Sequence, residues 1–143
     1  MANEHLHYTA GTQKMIVEWR DMKINMMICY DLRFPAWSYN TESYDILIYV
    51  ANWPQRRATH WKALLAARAI ENQSFVIGVN RVGTDANDLY YSGDSSILSP
   101  IGDILYQKAD IEDIFTVEIQ RTIIQDIRER MPFLKDKDEV IVR

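Results

Sequence analysis

Apolar residues follow two rhythms along this chain. Between residues 14 and 29 they alternate or run in strand-length blocks, broken once at Arg20-Asp21, which predicts two antiparallel strands over about 14–19 and 22–29. In the second, Ile24, Met26 and Ile28 share one face, and Asn25, Met27 and Cys29 share the other. Asp45-Ile46-Leu47-Ile48-Tyr49-Val50 is the kind of continuous run that a strand buried on both faces needs, and Asn52-Trp53-Pro54 closes it. The period then changes. Trp61, Leu65 and Ala69 recur every four residues, with Leu64 and Ile70 widening the stripe, so a helix over about 57–73 should pack closely on a sheet. Strands are expected again at 75–80, 91–98, 104–108 and 114–119, with a loop at 83–88 and a turn at Ser99-Pro100-Ile101-Gly102-Asp103. A last helix near 122–130 stops at Pro132, and the charged tail Lys135–Glu139 either docks elsewhere or frays. Strands interleaved with helices predict an α/β fold.

Composition narrows the field without naming a function. The 143 residues suffice for one domain with a core, and 48% hydrophobic content argues against disorder. A net charge of −4 offers no footprint for nucleic acid, and no basic cluster invites a membrane surface. The apolar runs are strand-sized, short of a bilayer span, and nothing near Met1 reads as a secretory signal. A single cysteine excludes an internal disulfide, which fits a reducing compartment, so a cytoplasmic protein is expected.

That cysteine, Cys29, sits where an apolar strand breaks into Tyr30-Asp31-Leu32-Arg33-Phe34-Pro35. A sulfur at a strand tip is both held and reachable, as a nucleophile must be. A plain core cysteine is the competing reading, because free cysteine is among the most buried residue types.

The run Met26–Pro35 resembles the nucleophile segment of the nitrilase, or carbon–nitrogen hydrolase, superfamily. The likeness continues through Tyr49-Val50-Ala51-Asn52-Trp53-Pro54, Ala67-Arg68-Ala69-Ile70-Glu71-Asn72-Gln73, Asn80-Arg81-Val82-Gly83, Gly93-Asp94-Ser95 and Pro100-Ile101-Gly102. His5-Leu6-His7-Tyr8-Thr9-Ala10-Gly11, Phe34-Pro35-Ala36-Trp37-Ser38 and Arg130-Met131-Pro132-Phe133-Leu134-Lys135-Asp136 are similar to the omega-amidase branch, which acts on monoamides of 2-oxo-dicarboxylic acids. The resemblance implies the C-terminal half of an αββα sandwich, with residues 1–143 forming a partial domain. It also implies amide hydrolysis through a cysteine thioester, without a cofactor. Family members use a Glu–Lys–Cys triad whose glutamate and lysine precede the cysteine. Neither Lys14 nor Lys23 matches that lysine, so the chain alone is expected to be inactive.

By resemblance, Cys29 is the nucleophile, the Tyr30 backbone N–H an oxyanion donor, and Glu4 a further acid near the site. Asn52 and Trp53 either line the pocket or form a plain turn. Asp31 and Arg33 brace the turn after Cys29, or Arg33 meets a substrate carboxylate through its forked guanidinium. Arg68 and Glu71, three apart on a helix, are expected to pair. His5, His7 and the isolated His60 lack the further ligands that a zinc site needs, so no metal is expected. Two functions stand: a cysteine amidase of small amides, or a non-catalytic half-domain that only associates. Partners would be a small amide together with a second copy in a homodimer or a missing N-terminal half, and a free half-sandwich would expose a sheet face.

Overall fold

The computed structural model describes residues 3–138, so Glu139 of the charged tail lies outside the described residues. Arg20 and Asp21 both take positive φ, 46° and 62°, which is the twisted two-residue turn that joins tight hairpins. They link β1 (Met15–Trp19) to β2 (Met22–Ile28), antiparallel as the alternation predicts. A 3-10 turn, Cys29–Arg33, and the single helical turn α1 (Pro35–Ser38) lead into β3 (Ile46–Ala51). From there α2 (Ala58–Asn72) carries the chain to β4 (Phe75–Asn80). Strands β2, β3 and β4 are parallel neighbours. The next strands are β5 (Val82–Thr84), β6 (Tyr90–Leu98) and β7 (Ile104–Ala109); β6 runs antiparallel to β4 and pairs with both β5 and β7. Helix α3 (Arg121–Arg130) follows.

One face of the sheet is packed by α2. Trp61, Leu65 and Ala69, the stripe read from the sequence, are fully buried against Met27, Leu47, Tyr49, Val76 and Leu98. Gly78 faces this helix, and a Cβ there would lie 2.5 Å from Leu65 Cδ1 and 2.8 Å from Trp61 Cζ2. The backbone of β4 must therefore approach α2 too closely for any side chain. Ile70 is half-exposed instead of completing the stripe. At the helix end, Asn72 Oδ1 accepts the Asn40 N–H at 2.9 Å while Asn40 Nδ2 donates to the carbonyls of Tyr44 and Asn72 at 3.0 and 2.9 Å, tying the start of β3 to the end of α2.

The opposite face is covered only in part. Ile124 of α3 is fully buried over Ile46 and Phe75, with Ile24, Ile48, Ile77 and Ile119 packed around them. Buried Asp45 anchors that helix through Arg128 at 3.3 Å and Arg121 at 3.8 Å. Towards the carboxyl ends of the parallel strands the face stays open among the described residues: Ile28 is 67% exposed, Val50 and Val79 49% each. These three lie in register, and the Met15–Met26 pair extends the same surface. So β3 is buried on both sides only in its first half, where α3 covers it.

Two expectations change. Residues 114–119 form no strand: they have no ladder partner among the described residues, with Phe115 stacked on Tyr106 at 4.2 Å and Ile114 95% exposed. Alternation alone cannot make a strand without a neighbouring edge. The loop expected at 83–88 begins later, because Val82–Thr84 pairs with β6. Among the described residues the strands form one sheet, and the fold is a mixed α/β fold.

Candidate active site

Parallel strands β2, β3 and β4 end side by side, and each hands over to a loop at the same edge: Cys29 after β2, Asn52 after β3, Arg81 after β4. Such carboxyl edges are where open α/β sheets bind ligands. Cys29 has φ 37°, in the left-handed region that a side chain with a Cβ enters at a cost. What holds it there is visible on both sides. Asp31 Oδ2 accepts the Ile28 N–H at 2.9 Å, pinning the strand end to the turn. Buried Arg68, reaching across from α2, donates to the Leu32 carbonyl at 2.7 Å and to Glu71 at 2.9 Å. Asp31 thus braces the turn, and Arg68 pairs with Glu71 as their spacing suggests. Cys29 itself is a free, half-buried thiol.

Burial pushes the Cys29 thiol pKa above its ordinary value, since a thiolate loses solvation there. A hydrogen bond from the Asn52 backbone opposes this, the charges of Glu4 and Asp31 add to it, and that of Arg57 offsets part. Glu4, in the exposed 3-10 turn Glu4–Leu6, is thereby close enough for its charge to be felt at the sulfur. Tyr30 is the second residue of the Cys29–Arg33 turn, so its N–H belongs to the first turn, where no intrahelical carbonyl can accept it.

Asn52 is exposed beside the thiol, whereas Trp53 is buried and serves as a hub. Its indole N–H donates to the Arg57 carbonyl at 2.8 Å, and its ring lies 5.6 Å from that of Trp61. The Arg33 guanidinium covers it at 4.5 Å, and both Arg33 terminal nitrogens lie 3.5 Å from His60 Nδ1. Arg33 therefore stacks on Trp53 and does not pair with Asp31. His5 and His7 lie on the exposed N-terminal turn, and among the described residues no three His, Cys, Asp or Glu side chains cluster as a metal would require.

Two residues here carry roles that sequence reasoning did not assign. Asn80, buried at the end of β4, accepts the Trp53 N–H at 2.7 Å and donates to the carbonyls of Trp53 and Gly93 at 2.9 and 2.7 Å. It clamps the loop that carries Asn52. Arg57 is the other: it ends the turn Gln55–Arg57 and puts a positive charge near the sulfur. For Asn80 the sequence offers its strand-final place before a basic residue and its membership of the family-like run Asn80-Arg81-Val82-Gly83, neither of which assigns a contact. Arg57, for its part, reads in the sequence as one of two adjacent surface arginines. A cavity of ≈ 710 Å³ on the open sheet face, between β4, β6, β7 and residues 111–115, reaches this neighbourhood at Asn52 but does not include Cys29.

Residues 2–129 match the carbon-nitrogen hydrolase family. The chain belongs to that family. It is 50% identical over 97% of its length to omega-amidase YafV of Escherichia coli (strain K12), covering 55% of that protein. It is 38% identical over 95% of its length to the 2-oxoglutaramate amidase of Bacillus subtilis (strain 168), covering 53% of it. Among solved structures, a carbon-nitrogen hydrolase superfamily protein of Xanthomonas campestris with an arsenic adduct in its active site superposes with a TM-score of 0.95 at 42% identity. That match covers 99% of this chain and 56% of the other. The chain thus spans about half the length of the curated relatives it matches. No helix among the described residues is long and apolar enough to cross a membrane.

Proposed function

We propose that this chain is the cysteine-bearing part of an omega-amidase-type enzyme, which hydrolyses a small 2-oxo acid amide to the carboxylic acid and ammonia. The observation that carries this reading is the strained, doubly braced Cys29 at the carboxyl edge of three parallel strands. The relatives named for omega-amidase and 2-oxoglutaramate amidase activity support the substrate class.

In the proposed reaction the Cys29 sulfur attacks the amide carbon, and the Tyr30 N–H takes the resulting oxyanion. The C–N bond breaks as the nitrogen gains the thiol proton and leaves as ammonia. Water then attacks the thioester, releasing the acid and restoring the thiol. Burial keeps this thiol protonated at neutral pH, so the first step needs a base that the described residues do not place beside it. The family glutamate and lysine would come from a segment outside these 143 residues, packed on the open face of the sheet. Losing one oxyanion donor alone costs about 10²–10³ in rate, so the chain by itself should be nearly silent. Arg33 and Asn52 face the substrate in this reading, with Trp53 beneath them. No cofactor enters, and the cytoplasm and a homodimer are the expected setting.

The open apolar face also favours a second reading, in which the chain only associates with a partner and turns nothing over. Ammonia release from 2-oxoglutaramate, measured with and without an added N-terminal half from a full-length relative, separates the two. Turnover on addition, abolished by Cys29→Ala, supports the amidase. Turnover that survives Cys29→Ala refutes it.

A further inference from the structure

The run Gly93-Asp94-Ser95 puts one residue too many into β6. Gly93 pairs with Ala109 and Ser95 with Lys108, which leaves Asp94 as the extra residue of a β-bulge. Gly93 and Asp94 both take positive φ, 75° and 53°, and only the first is free of the Cβ penalty. Asp94 is also 4% exposed, and three groups hold it. Half-exposed Lys62 of α2 pairs with its carboxylate at 2.7 Å, and the Ser92 hydroxyl donates to the same carboxylate at 2.5 Å. The Trp61 indole N–H donates to its carbonyl at 3.0 Å. A left-handed aspartate with a buried carboxylate is costly, so these contacts are what keep the bulge in place.

The bulge serves the edge that carries the thiol. It presents the Gly93 carbonyl to Asn80 Nδ2, which donates to it at 2.7 Å. It presents the Ser95 hydroxyl to the Asn80 backbone, where that oxygen accepts the N–H at 3.0 Å and donates to the carbonyl at 3.1 Å. Asn80 in turn holds the N–H and the carbonyl of Trp53, and it pairs with Ala51 across the β3–β4 ladder. Asn52 lies between those two held residues, and its backbone N–H is the one bonded to the Cys29 sulfur. We propose that Asp94 is a positioning residue for the nucleophile: Lys62 and Ser92 fix the bulge through it, and the bulge, through Asn80, aims the Asn52 peptide at Cys29. For the reaction this deepens the amidase reading and rests on it, but the positioning itself can be tested without turnover.

Uncharged iodoacetamide reads the sulfur: a C–S bond replaces the C–I bond, iodide leaves, and the thiol proton passes to buffer. On the full chain, Asp94→Ala should slow this alkylation about tenfold near neutral pH, because one hydrogen bond to the thiolate is lost. On the alkaline plateau, where every thiol is ionised, the rate should be unchanged. The other ionisable groups near the sulfur are all retained: Glu4 on the N-terminal turn, Asp31 on its own turn, Arg57 before α2 and Tyr91 on β6. Removing a negative charge would by itself speed the reaction near neutral pH, so the sign separates lost aim from lost charge. Asp94→Asn, which keeps the shape and the Ser92 contact, should recover most of the rate, and Asn80→Ala should show the same pH-dependent deficit. Arg128→Met, whose site lies at the amino ends of β3 and β4, should alkylate like the unaltered chain. A deficit that persists on the plateau, a faster neutral rate, or an equal deficit in Arg128→Met overturns the proposal. If Asp94→Ala does not fold, Ser92→Ala decides, since it changes no charge: an unchanged neutral rate overturns it. A pH-dependent deficit with no ammonia release from the reconstituted protein sinks the amidase reading and spares the positioning. Ammonia release with no such deficit does the reverse.

Discussion

Replacing Asn80 with alanine should unfasten the loop that backs the thiol. One side chain, 8% exposed, satisfies three backbone groups: the Trp53 N–H at 2.7 Å, the Trp53 carbonyl at 2.9 Å and the Gly93 carbonyl at 2.7 Å. Each becomes an orphan in Asn80→Ala, and at the low end of the cost of leaving a buried polar group unpaired, about 1 kcal/mol each, the loss is about 3 kcal/mol. For a domain of this size that corresponds to roughly 6–12 °C in melting temperature. Urea unfolding followed by tryptophan fluorescence measures it directly, since Trp53 and Trp61 both lie against the affected loop. A loss below about 1 kcal/mol, the range of an ordinary surface substitution or little more, would show that water or loop relaxation satisfies those groups and that Asn80 is no clamp.

Other outcomes follow from the same geometry. Because burial raises the Cys29 pKa and only the thiolate reacts, the pH midpoint of alkylation should lie above that of a free cysteine; Glu4→Gln should lower it and Arg57→Met raise it, and a midpoint at or below the free value contradicts the account. Gly78→Ala forces a methyl to within 2.5 Å of Leu65 Cδ1 and should cost about 1–3 kcal/mol in the same unfolding assay, partly recovered by Leu65→Ala in the same chain. Arg128→Met removes the closer partner of buried Asp45 and the donor to the Tyr44 carbonyl at 2.6 Å, so about 3 kcal/mol should be lost. Adding Asp45→Asn to it should restore part of that stability, and a double variant weaker than the single one would contradict the ion-pair account.

Most of the secondary structure was legible because its cause is local. The β1–β2 hairpin, the Trp61–Leu65–Ala69 stripe and the stop at Pro132 each follow from a few neighbouring residues. Residues 114–119 misled because their alternation describes what a strand would bury, not whether an edge exists to receive it. The candidate site divides the same way. Cys29, the turn after it and Asn52 are readable as a strand end meeting polar residues. Asn80 and Arg57 acquire roles only when β4 and the turn before α2 fold back beside β2, bringing together residues more than twenty positions apart. Nor does any local pattern show that β2, β3 and β4 run parallel, which is what places their three carboxyl ends at one edge.

Ile28 joins two things that are usually separate. Its side chain belongs to the uncovered surface, while its peptide leads straight into the left-handed cysteine, and its amide is the one Asp31 grips. Whatever lands on that surface leans on the residue that aims the sulfur. A load placed on Ile28 would therefore pass through its peptide to the Cys29 backbone, so that covering this face and orienting the sulfur share one lever.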